Sequence, residues 1–568
     1  MTTATALSPA YRASAIEAMA ADTELDVLVI GGGVTGVGCA LDAVTRGLRT
    51  GLIEQRDFAS GTSSRSSKLI HGGLRYLEMF DFGLVAEALK ERGLLLTRLA
   101  PHLVRPVPFL YPLSKPIIER PYVEAGLTLY DSMARASRHA AGLPWHKHLT
   151  RRQALRIAPA LKAAALVGAI QYYDAKVDDA RHTMEIARTA ADYGAHVATR
   201  VAAVGFVRQG ERVTGVTALD KVSGREFEIH ARQVVNATGV WTDDTQAMVG
   251  ERGQFHVRAS KGVHLVVPRD RIHSTSGIIL RTEKSVLFVI PWGRHWIIGT
   301  TDTDWELDKA HPAATSADID YLLGHVNRIL RTELTQADVE GVYAGLRPLL
   351  SGESDETSKL SREHIVAHPT PGLVVVAGGK YTTYRIMAKD AIDEAARAMG
   401  GDLPQSTTED IPMVGAVGYQ AMWNRRQALA NESGLHVERI EKMLMRHGVL
   451  TTEILALVAA DPELGEPLPG GEDYLKAEIV YGASHEGALH LDDILARRTR
   501  LSIQSFDRAI TASRPAAELI APVLGWDAAA IEEEVRHYRE RVTAERISQT
   551  MPDDESADRA RMQAPDRG

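Results

Sequence analysis

The sequence predicts an α/β protein whose parallel-sheet domain is interrupted by an α+β domain and followed by a helical C-terminal domain. Near the N-terminus, an apolar run, a glycine cluster and a helical run follow one another over residues 27–46. Residues 372–389 repeat that order, so the first domain is expected to be discontinuous, with the second inserted between its parts. Residues 420–546 are almost all helix-forming, which favours a separate helical bundle.

The first segment carries the spacing of a dinucleotide-binding site. Gly31, Gly33 and Gly36 fit G-x-G-x-x-G directly after an apolar run typical of a buried parallel strand. One glycine allows the tight turn, one lets the backbone approach a pyrophosphate, and one lets the helix pack on the strand. The helix then points its N–H groups at the phosphates. The second strand ends on Glu54, whose carboxylate can accept both hydroxyls of an adenosine ribose.

Composition and charge argue against several other classes. With 568 residues the chain exceeds a single core, and its net charge of −8 argues against a nucleic-acid-binding protein. The single cysteine, Cys39, excludes an intrachain disulfide and is expected to be a packing residue; no metal site is predicted. Because no run of about 18 apolar residues and no secretory leader is found, we expect a protein of the cytosol or of the cytosolic face of a membrane.

A polar, glycine-containing stretch follows Glu54 at residues 60–78. Hydroxyls and bare backbone amides at this density suit hydrogen bonds to phosphates and ring edges. His71, Arg75 and Tyr76 lie within it, adding a titratable group, a permanent cation and a phenol. A solvated linker is the alternative, but linkers rarely carry such residues among glycines directly after a nucleotide-binding unit. The predicted cofactor contacts of this stretch are Gly61, Thr62, Ser63, Ser64, Ser66 and Ser67.

Later stretches are predicted to return to the bound nucleotide. An apolar strand ends in Asn-Ala-Thr-Gly, which places Gly239 where a chain can pass close to a dinucleotide. The second strand-and-glycine unit carries Gly379, Lys380 and Thr382 at the start of a helix whose N-terminus can face a ligand. Between these two stretches, Arg347 is an isolated arginine followed by proline, in a segment that suits neither helix nor strand.

The expected domain boundaries follow from these segments. The nucleotide-binding domain is assigned to residues 22–100, 170–250 and 341–400, the substrate domain to 101–169 and 251–340, the helical domain to 402–546, and disordered ends to 1–21 and 547–568. Prolines make residues 101–130 irregular. This apolar segment suits the substrate domain or a membrane-contacting surface, and the lack of a basic amphipathic pattern favours the former. Charged runs at 497–500 and 532–534 are interpreted as solvated helix faces.

Specific strings connect the chain to a known family. They are Ser-Ser-Lys-Leu-Ile-His-Gly-Gly-Leu-Arg-Tyr-Leu at 66–77, Asn-Ala-Thr-Gly-Val-Trp at 236–241, Gly-Thr-Thr-Asp at 299–302, Gly-Leu-Arg-Pro at 345–348, Ser-Arg-Glu-His-Ile-Val at 361–366 and Gly-Gly-Lys-Tyr-Thr-Thr-Tyr-Arg at 378–385. From about residue 22 to the end of the helical domain, the chain resembles FAD-dependent glycerol-3-phosphate dehydrogenases. The resemblance implies a glutathione-reductase-like FAD-binding domain of Rossmann type, an α+β substrate domain with a sheet floor over the flavin, and a C-terminal all-helical cap.

The resemblance also implies an activity. It is the oxidation of sn-glycerol 3-phosphate to dihydroxyacetone phosphate, with hydride passing from C2 to flavin N5 and electrons passing on to a quinone of the respiratory chain. The expected location is the cytoplasm, in peripheral contact with the inner face of the cell membrane. The helical domain could support a homodimer, although no heptad seam marks an interface. In that family the side chains that correspond to His71, Arg75, Tyr76, Arg347 and Lys380 line the substrate pocket.

The chemistry of these residues agrees with that activity. A phosphate dianion needs fixed cations, and guanidinium groups bind phosphate bidentately, which suits Arg75 and Arg347. His71 is the candidate base for the C2 hydroxyl proton because its ordinary pKa lies near neutral pH; the alternative is a histidine that only packs beneath the flavin. Lys380 is expected near the flavin pyrimidine edge, where it would stabilise negative charge or orient the substrate.

Other functions remain open at this point. A glycerophosphate oxidase would share the fold and use O2 as the acceptor, producing hydrogen peroxide. An amino- or hydroxy-acid substrate could also engage the pocket cations through its carboxylate, although the family strings argue against it. In a third alternative the flavin is only structural and the helical domain recruits a partner protein. A scaffold of that kind would not lose its flavin absorbance when glycerol 3-phosphate is added without oxygen.

Overall fold

The computed structural model describes residues 4–21, 23–73, 81–115, 119–136, 142–250, 256–282, 286–350, 363–400 and 404–565. Its strands are β1 Leu25–Ile30, β2 Thr50–Glu54, β3 Leu69–Ile70, β4 Arg105–Leu113, β5 Lys147–Thr150, β6 Gly168–Lys176, β7 His196–Thr199, β8 Val201–Gln209, β9 Arg212–Asp220, β10 Glu226–Asn236, β11 Val257–Pro268, β12 Gly277–Arg281, β13 Val286–Trp292, β14 His295–Gly299, β15 Thr303–Asp304, β16 Gly341–Leu350, β17 His364–Thr370, β18 Leu373–Gly378, β19 Pro467–Leu468 and β20 Gly471–Leu475.

The α-helices of the same residues complete the element list. They are α1 Pro9–Ala20, α2 Val34–Thr45, α3 Phe82–Leu94, α4 Glu119–Ala136, α5 Arg151–Ile157, α6 Asp179–Asp192, α7 Thr242–Ala247, α8 Ser316–Asn327, α9 Tyr384–Met399, α10 Tyr419–Asn424, α11 Arg426–Ser433, α12 Val437–His447, α13 Thr451–Ala460, α14 Lys476–Ser484, α15 Leu501–Gln504, α16 Ile510–Leu524, α17 Ala528–Ser548 and α18 Asp554–Arg561. Short π-helical segments lie at Leu95–Leu99 and Asp493–Arg498.

The first sheet is the predicted nucleotide-binding sheet. Its strand order is β17-β18-β10-β1-β2-β7, and β1 runs parallel to both β10 and β2. Small side chains let α2 pack closely between α6 and α9 on one face, where Val37, Ala187 and Ala388 belong to one buried core. Both faces of β1 are covered, which is why its sequence is almost continuously apolar. The predicted discontinuous parallel sheet is therefore present.

The second sheet supplies the predicted floor of the substrate domain. Its strand order is β15-β11-β14-β13-β12-β4-β6-β3, with β16 paired to β11 and β5 paired to β6. The face of β11 and β16 that carries Val263 and Ala344 packs on α8 through Leu322. The domain boundaries change accordingly. Residues 170–176 and 341–350 belong to this sheet rather than to the nucleotide-binding domain, because β6 pairs with β4 and β16 pairs with β11.

The expectation of an irregular segment at 101–130 is wrong. Strand β4 pairs with β6 along its whole length, although it contains Pro106, Pro108 and Pro112. These prolines occupy alternate positions, so their missing N–H groups fall on one edge of the strand and the other edge keeps its donors for β6. Helix α4 then begins at Glu119, and Val123 and Leu127 are buried on its inner face.

Disorder was also the wrong expectation for most of the two ends. Ser8 caps α1 by accepting a hydrogen bond from the Tyr11 backbone N–H, and Met19 is fully buried against the first sheet. Near the C-terminus, Asp553 caps α18, and Asp554 forms an ion pair with the buried Lys261 of β11. Capping and a few long-range contacts order these segments.

The C-terminal domain is helical apart from the β19–β20 hairpin. Among the described residues, one helical stretch, Val437–Ala460, is long and apolar enough to cross a membrane by length and composition alone, contrary to the sequence-based expectation. Its path changes at Gly448, where φ is +56° and a short 3-10 turn separates α12 from α13. Ile440 and Ile454 pack together in the core of this domain, which explains the apolar composition.

Candidate active site

A cavity lies at the carboxyl end of β1 and brings together most of the predicted cofactor-binding residues. This position, where parallel strands end and a helix begins, is typical of dinucleotide sites. The predicted residues on its wall are Gly31, Gly33, Glu54, Gly61, Thr62, Ser63, Ser66, Gly239, Gly379 and Lys380. Thr238, Trp241 and Tyr381 also line it and were not predicted individually.

Three glycines shape the floor of this cavity. Gly31 has φ +113°, and a Cβ there would lie 2.7 Å from the Ala237 carbonyl oxygen. A Cβ on Gly36 would lie only 1.9 Å from the Gly31 carbonyl oxygen, so this glycine allows α2 to pack against the turn, as its place in the motif predicts. A Cβ on Gly33 would meet only Ser63 Oγ, at 3.4 Å, so this position lies at the open side of the turn, at the start of α2.

Glu54 stands at the end of β2 as predicted. Its Oε2 accepts a hydrogen bond from the Gly32 N–H at 2.6 Å, and its Oε1 accepts one from the Arg56 N–H at 2.7 Å. Burial raises the pKa of Glu54, while Arg56 and the two N–H donors oppose that rise. Each carboxylate oxygen keeps a further lone pair for a ligand on the cavity side.

Side chains fix the serine-rich segment in place. Ser63 Oγ accepts a hydrogen bond from the Val34 N–H at 2.9 Å, at the N-terminus of α2. Thr62 Oγ1 donates to the Leu346 carbonyl at 2.6 Å, which ties the segment to β16. Ser66 donates through both its N–H and its hydroxyl to Asp179, at 3.0 and 2.7 Å. The segment therefore connects the two sheets, and it is not a solvated linker.

One face of the second sheet turns toward this segment. Alternation along β11 and β16 places Ser260 opposite Arg347, Gly262 opposite Gly345, and His264 opposite Tyr343. A Cβ on Gly345 would lie 2.5 Å from the Arg65 carbonyl oxygen, so the sheet and the segment are in close contact. A Cβ on Gly262 would lie 2.6 Å from Arg347 Nη2. Glycines on this face thus make room for the segment and for one arginine side chain.

Arg347 lies in strand β16, which corrects the expectation that its segment suits neither helix nor strand. Its guanidinium donates to Thr300 Oγ1 at 3.0 Å and to the Thr301 carbonyl at 3.3 Å, and it lies 3.5 Å from Asp302. The side chain is 21% exposed, so it is held by the protein and still reaches the surface of the sheet. It supplies a fixed cation beside the cofactor cavity.

His264 is a site residue that the sequence reasoning missed. Its Nε2 is 2.8 Å from Ser67 Oγ, and its ring stacks on Tyr343 with centroids 4.7 Å apart. Burial lowers the pKa of His264 well below its ordinary value, and the nearby Arg347 and Lys68 lower it further, so the ring is neutral at physiological pH. The available sequence signal was alternation: Ser260, Gly262 and His264 occupy every second position, so they share one face of the strand.

The remaining predicted residues take other positions. Thr382 Oγ1 accepts from the His71 N–H at 3.2 Å and donates to the His71 carbonyl at 3.3 Å, so it holds His71 rather than lining the cofactor cavity. Ser64 contributes its carbonyl to buried cations, as described below, and Ser67 contacts His264. Arg75 and Tyr76 lie outside the described residues. In the described ranges, no group of three or more His, Cys, Asp or Glu residues is placed to hold a metal ion.

The cavity fits a flavin dinucleotide on chemical grounds. Glycines at the turn allow close approach to a pyrophosphate, and the N-terminus of α2 faces it. Glu54 offers acceptors for ribose hydroxyls, and apolar walls from Val201, Ala203 and Met248 suit an aromatic ring system. These features come from segments far apart in sequence, so their meeting at one cavity is a result of the fold.

Comparisons with known proteins agree with this geometry. A family profile described as FAD dependent oxidoreductase matches residues 26–385, and one described as the C-terminal domain of alpha-glycerophosphate oxidase matches residues 406–531. Glycerol-3-phosphate dehydrogenase 2 of Mycobacterium tuberculosis (strain ATCC 25618 / H37Rv) is 58% identical over 563 residues, which cover 99% of this chain and 95% of that protein. The mitochondrial glycerol-3-phosphate dehydrogenase of Homo sapiens is 37% identical over 527 residues, which cover 89% of this chain and 71% of that protein.

A solved structure shares the architecture. The glycerol-3-phosphate dehydrogenase of Bacillus halodurans, determined in complex with FAD, superimposes with a TM-score of 0.77 at 29% sequence identity. The superposition covers 94% of this chain and 98% of that one. The likeness therefore extends over both sheets and the helical domain.

Proposed function

Because the chain belongs to the family of FAD-dependent glycerol-3-phosphate dehydrogenases, we propose that it oxidises sn-glycerol 3-phosphate to dihydroxyacetone phosphate and passes the electrons to a quinone. One observation carries the proposal. A fixed cation, Arg347, and a neutral imidazole, His264, share one face of the second sheet, beside the segment that also lines the cofactor cavity.

The chain would hold FAD through the motif residues of the cavity. The turn at Gly31 and Gly33 would accommodate the pyrophosphate, Glu54 the ribose, and the segment around Ser63 and Ser66 the rest of the dinucleotide. When bound, FAD supplies the two-electron acceptor chemistry that no side chain can provide. Lys380 lines the same cavity, at the start of the second glycine-to-helix unit. Its ammonium group would place a positive charge next to the bound cofactor.

Arg347 is the proposed phosphate-binding residue. Its guanidinium can form two parallel hydrogen bonds to phosphate oxygens, and its contacts with Thr300 and Thr301 already orient it. Asp302 pairs with the guanidinium at 3.5 Å, and an incoming phosphate dianion would compete with this carboxylate for the cation. We propose on the basis of the family strings alone that Arg75 and Tyr76 also line this pocket.

His71 remains the proposed base for the C2 hydroxyl proton. Thr382 fixes its backbone through two hydrogen bonds, and its ring lies 6.4 Å from that of Phe288 on β13. His264 is a weaker base, since burial and two neighbouring cations disfavour its protonation. Its neutral ring suits a hydrogen bond that orients the substrate on the sheet.

Contact with the cytosolic face of a membrane is the third part of the proposal. Tyr122 and Leu129 lie seven residues apart on α4, so they share its outer face, and they are 54% and 39% exposed. Trp145 is 42% exposed, and the Arg135 guanidinium lies 4.7 Å from its ring. Exposed aromatic and basic side chains on an amphipathic helix are typical of interfacial segments, so this region supports the membrane alternative that the sequence disfavoured.

An anaerobic titration tests the activity. Yellow, FAD-loaded protein mixed with glycerol 3-phosphate should lose its absorbance near ~450 nm, because the bound flavin is reduced. A soluble quinone should restore the absorbance quickly and air only slowly. Fast recovery in air with peroxide would instead establish the oxidase, whose C-terminal profile matches this chain. If glycerol 3-phosphate causes no loss of absorbance, the proposed substrate is wrong.

A further inference from the structure

The charged run at residues 497–500 does not face solvent. Arg497, Arg498 and Arg500 are 6%, 3% and 3% exposed, so the interpretation of this run as a solvated helix face is wrong. It begins in the π-helical segment Asp493–Arg498, and Arg500 follows with φ +71°, a conformation that non-glycine side chains rarely adopt. The backbone of the helical domain thus turns sharply where it meets the nucleotide-binding domain.

Arg500 crosses from the helical domain into the cofactor-binding half. Its Nη2 donates to Asp178 Oδ1 at 2.7 Å and also contacts Asp179 Oδ1. Its Nη1 donates to the Ser64 carbonyl at 3.1 Å. One side chain therefore joins the helical domain to the N-terminus of α6 and to the serine-rich segment. Burial pushes the pKa of Asp178 upward, but Arg500, Lys68 and Arg181 together outweigh this effect and lower it to about 2.

Asp179 is the centre of this contact. It accepts hydrogen bonds from the Ser66 N–H and hydroxyl on one oxygen and from Lys68 Nζ, at 2.8 Å, on the other. Lys68 is fully buried, has φ +57°, and its Nζ lies 5.0 Å from the Tyr343 ring. Two residues in left-handed conformations, Lys68 and Arg500, thus meet at one carboxylate, and each is held by charge pairing.

The contact continues to both parts of the candidate site. Ser66 lines the cofactor cavity, and its neighbour Ser67 is hydrogen-bonded to His264 on the substrate face. The Tyr381 hydroxyl, on another cavity-lining residue, donates to the Asp179 carbonyl at 2.7 Å. A shift of Asp179 would therefore move cofactor and substrate contacts together.

We propose that Arg500 is a positioning residue: from the helical domain it fixes Asp179 and the 64–68 segment, and thereby sets the geometry of both the FAD contacts and the Ser67–His264 pair. The helical domain is then a working part of the site and not only a cap. The part of this inference that concerns substrate and the Ser67–His264 pair rests on the proposed function, whereas the part that concerns FAD binding does not.

The test compares Arg500→Gln with Glu453→Gln. Glu453 of the helical domain pairs with the buried Arg188, so it also joins that domain to α6, but nine residues further along the helix than Asp179 and away from the cavity. Arg500→Gln should weaken FAD binding and raise the KM for glycerol 3-phosphate by on the order of tenfold each, the lower end of what loss of a supporting partner costs at a bound group. Glu453→Gln should change either quantity less than about twofold.

Fluorescence titration of apoprotein with FAD, the flavin absorbance maximum and steady-state kinetics are the measurements. Arg500→Lys keeps the charge but cannot reach Ser64, Asp178 and Asp179 together, so it should lie between wild type and Arg500→Gln. If Arg500→Gln does not fold, Arg500→Lys carries the comparison. Equal losses of thermal stability in Arg500→Gln and Glu453→Gln, with FAD affinity and KM at wild-type values, would overturn the proposal. If weakened FAD binding appears and no variant, nor wild type, oxidises glycerol 3-phosphate, the positioning role stands and the proposed substrate fails.

Discussion

Two regions near the cofactor cavity achieve close packing by opposite means. The turn between β1 and α2 does so by omitting side chains: a Cβ at Gly36 would lie 1.9 Å from a backbone oxygen. The run at 497–500 does so with long, charged side chains that are buried and paired, as in the Arg498–Asp57 contacts at 2.8 Å. In the first region, the close contact joins two residues that are a few positions apart in sequence. In the second region, the arginines depend on partners more than 300 residues away in sequence.

This difference separates what a sequence can and cannot reveal. A glycine motif is local, since the turn, the strand before it and the helix after it are all adjacent in the chain. A buried ion pair needs a partner of opposite charge, and sequence alone does not say which of many carboxylates will lie nearby. Exposed and buried charged runs therefore look the same in the sequence, although a buried pair that loses one partner costs several kcal/mol more than an exposed pair does.

The largest expected effect comes from adding one methyl group to the glycine turn. Gly36→Ala should destabilise the fold by about 3 kcal/mol or more and abolish FAD retention, because the helix must move away from the turn. Gly324→Ala, on α8, has nothing within 4 Å of the added Cβ and should be neutral or stabilising. Yellow colour on purification and the thermal midpoint are the readouts. Full flavin content in Gly36→Ala would contradict the steric account.

Breaking the buried pairing at the helical-domain contact should rank second. Asp57→Asn removes the carboxylate that pairs with the buried Arg498, while Arg497 keeps its pairs with Asp492 and Asp493, and should cost about 3 kcal/mol in the free energy of unfolding. Arg536→Ala removes exposed pairs with Glu533 and Glu540 on α17, and should leave the free energy of unfolding unchanged within the error of the measurement. Guanidinium unfolding followed by tryptophan fluorescence measures both. Equal effects would mean that burial does not distinguish the two kinds of charged run.

Loss of the sheet cation should affect substrate and spare the cofactor. Arg347→Ala should raise the KM for glycerol 3-phosphate by about 100-fold, equivalent to about 2.7 kcal/mol, since a charged partner of the phosphate is removed. FAD content should stay at the wild-type level, because Arg347 does not line that cavity. Arg258→Ala removes a partly exposed arginine on the neighbouring strand β11 that pairs with Asp304; it is the matched control and should behave as wild type. A colourless Arg347→Ala protein would show that the residue is misassigned.

The smallest effect is a pH dependence from buried histidine. Burial lowers the pKa of His182 to about 3, and the nearby His102 adds to this while Asp178 opposes it. Between about pH 6.5 and 3 the unfolded chain binds a proton that the folded chain does not, so stability falls as the pH falls, by about 1.4 kcal/mol per unit. From pH 7 to 5 this amounts to about 2 kcal/mol. His182→Gln should flatten the thermal midpoint between these pH values; an unchanged slope would exclude His182 as its source.

The pKa of Asp178 is lowered as well, but its effect on stability falls in a lower pH range than that of His182. Its carboxylate stays ionised until the pH approaches about 2, so the stability from its pairing with Arg500 is present above its ordinary pKa near 4 and is lost only as the pH falls below that value. Above pH 5, the slope that His182 contributes is therefore not altered by Asp178.

Much of the fold was predictable, and the reasons are visible in particular elements. The glycine turn, the strand that ends on Glu54 and the discontinuous first domain all carry local patterns, and the structure contains them. Strand β4 was missed because its prolines argued against a strand until their common edge was known. Helix α1 was missed because its order depends on a Ser8 cap and on packing against the first sheet.

The candidate site divides in the same way. The glycines and hydroxyls that line the cavity could be predicted because they follow one another in a motif. His264 could not be predicted with the same ease, since its role depends on its cross-strand neighbour Tyr343 and on Ser67, which lies almost 200 residues earlier. The role of Arg500 was the hardest to predict, because nothing in the sequence identifies Asp178 and Asp179 as its partners.

The most direct measurement of the central claim is a crystal structure of the FAD-loaded chain with dihydroxyacetone phosphate. We expect a phosphate within hydrogen-bond distance of the Arg347 guanidinium, on the face of β11 and β16 that carries His264 and faces the 64–68 segment. A phosphate bound on the opposite face of this sheet, or away from Arg347 altogether, would contradict it.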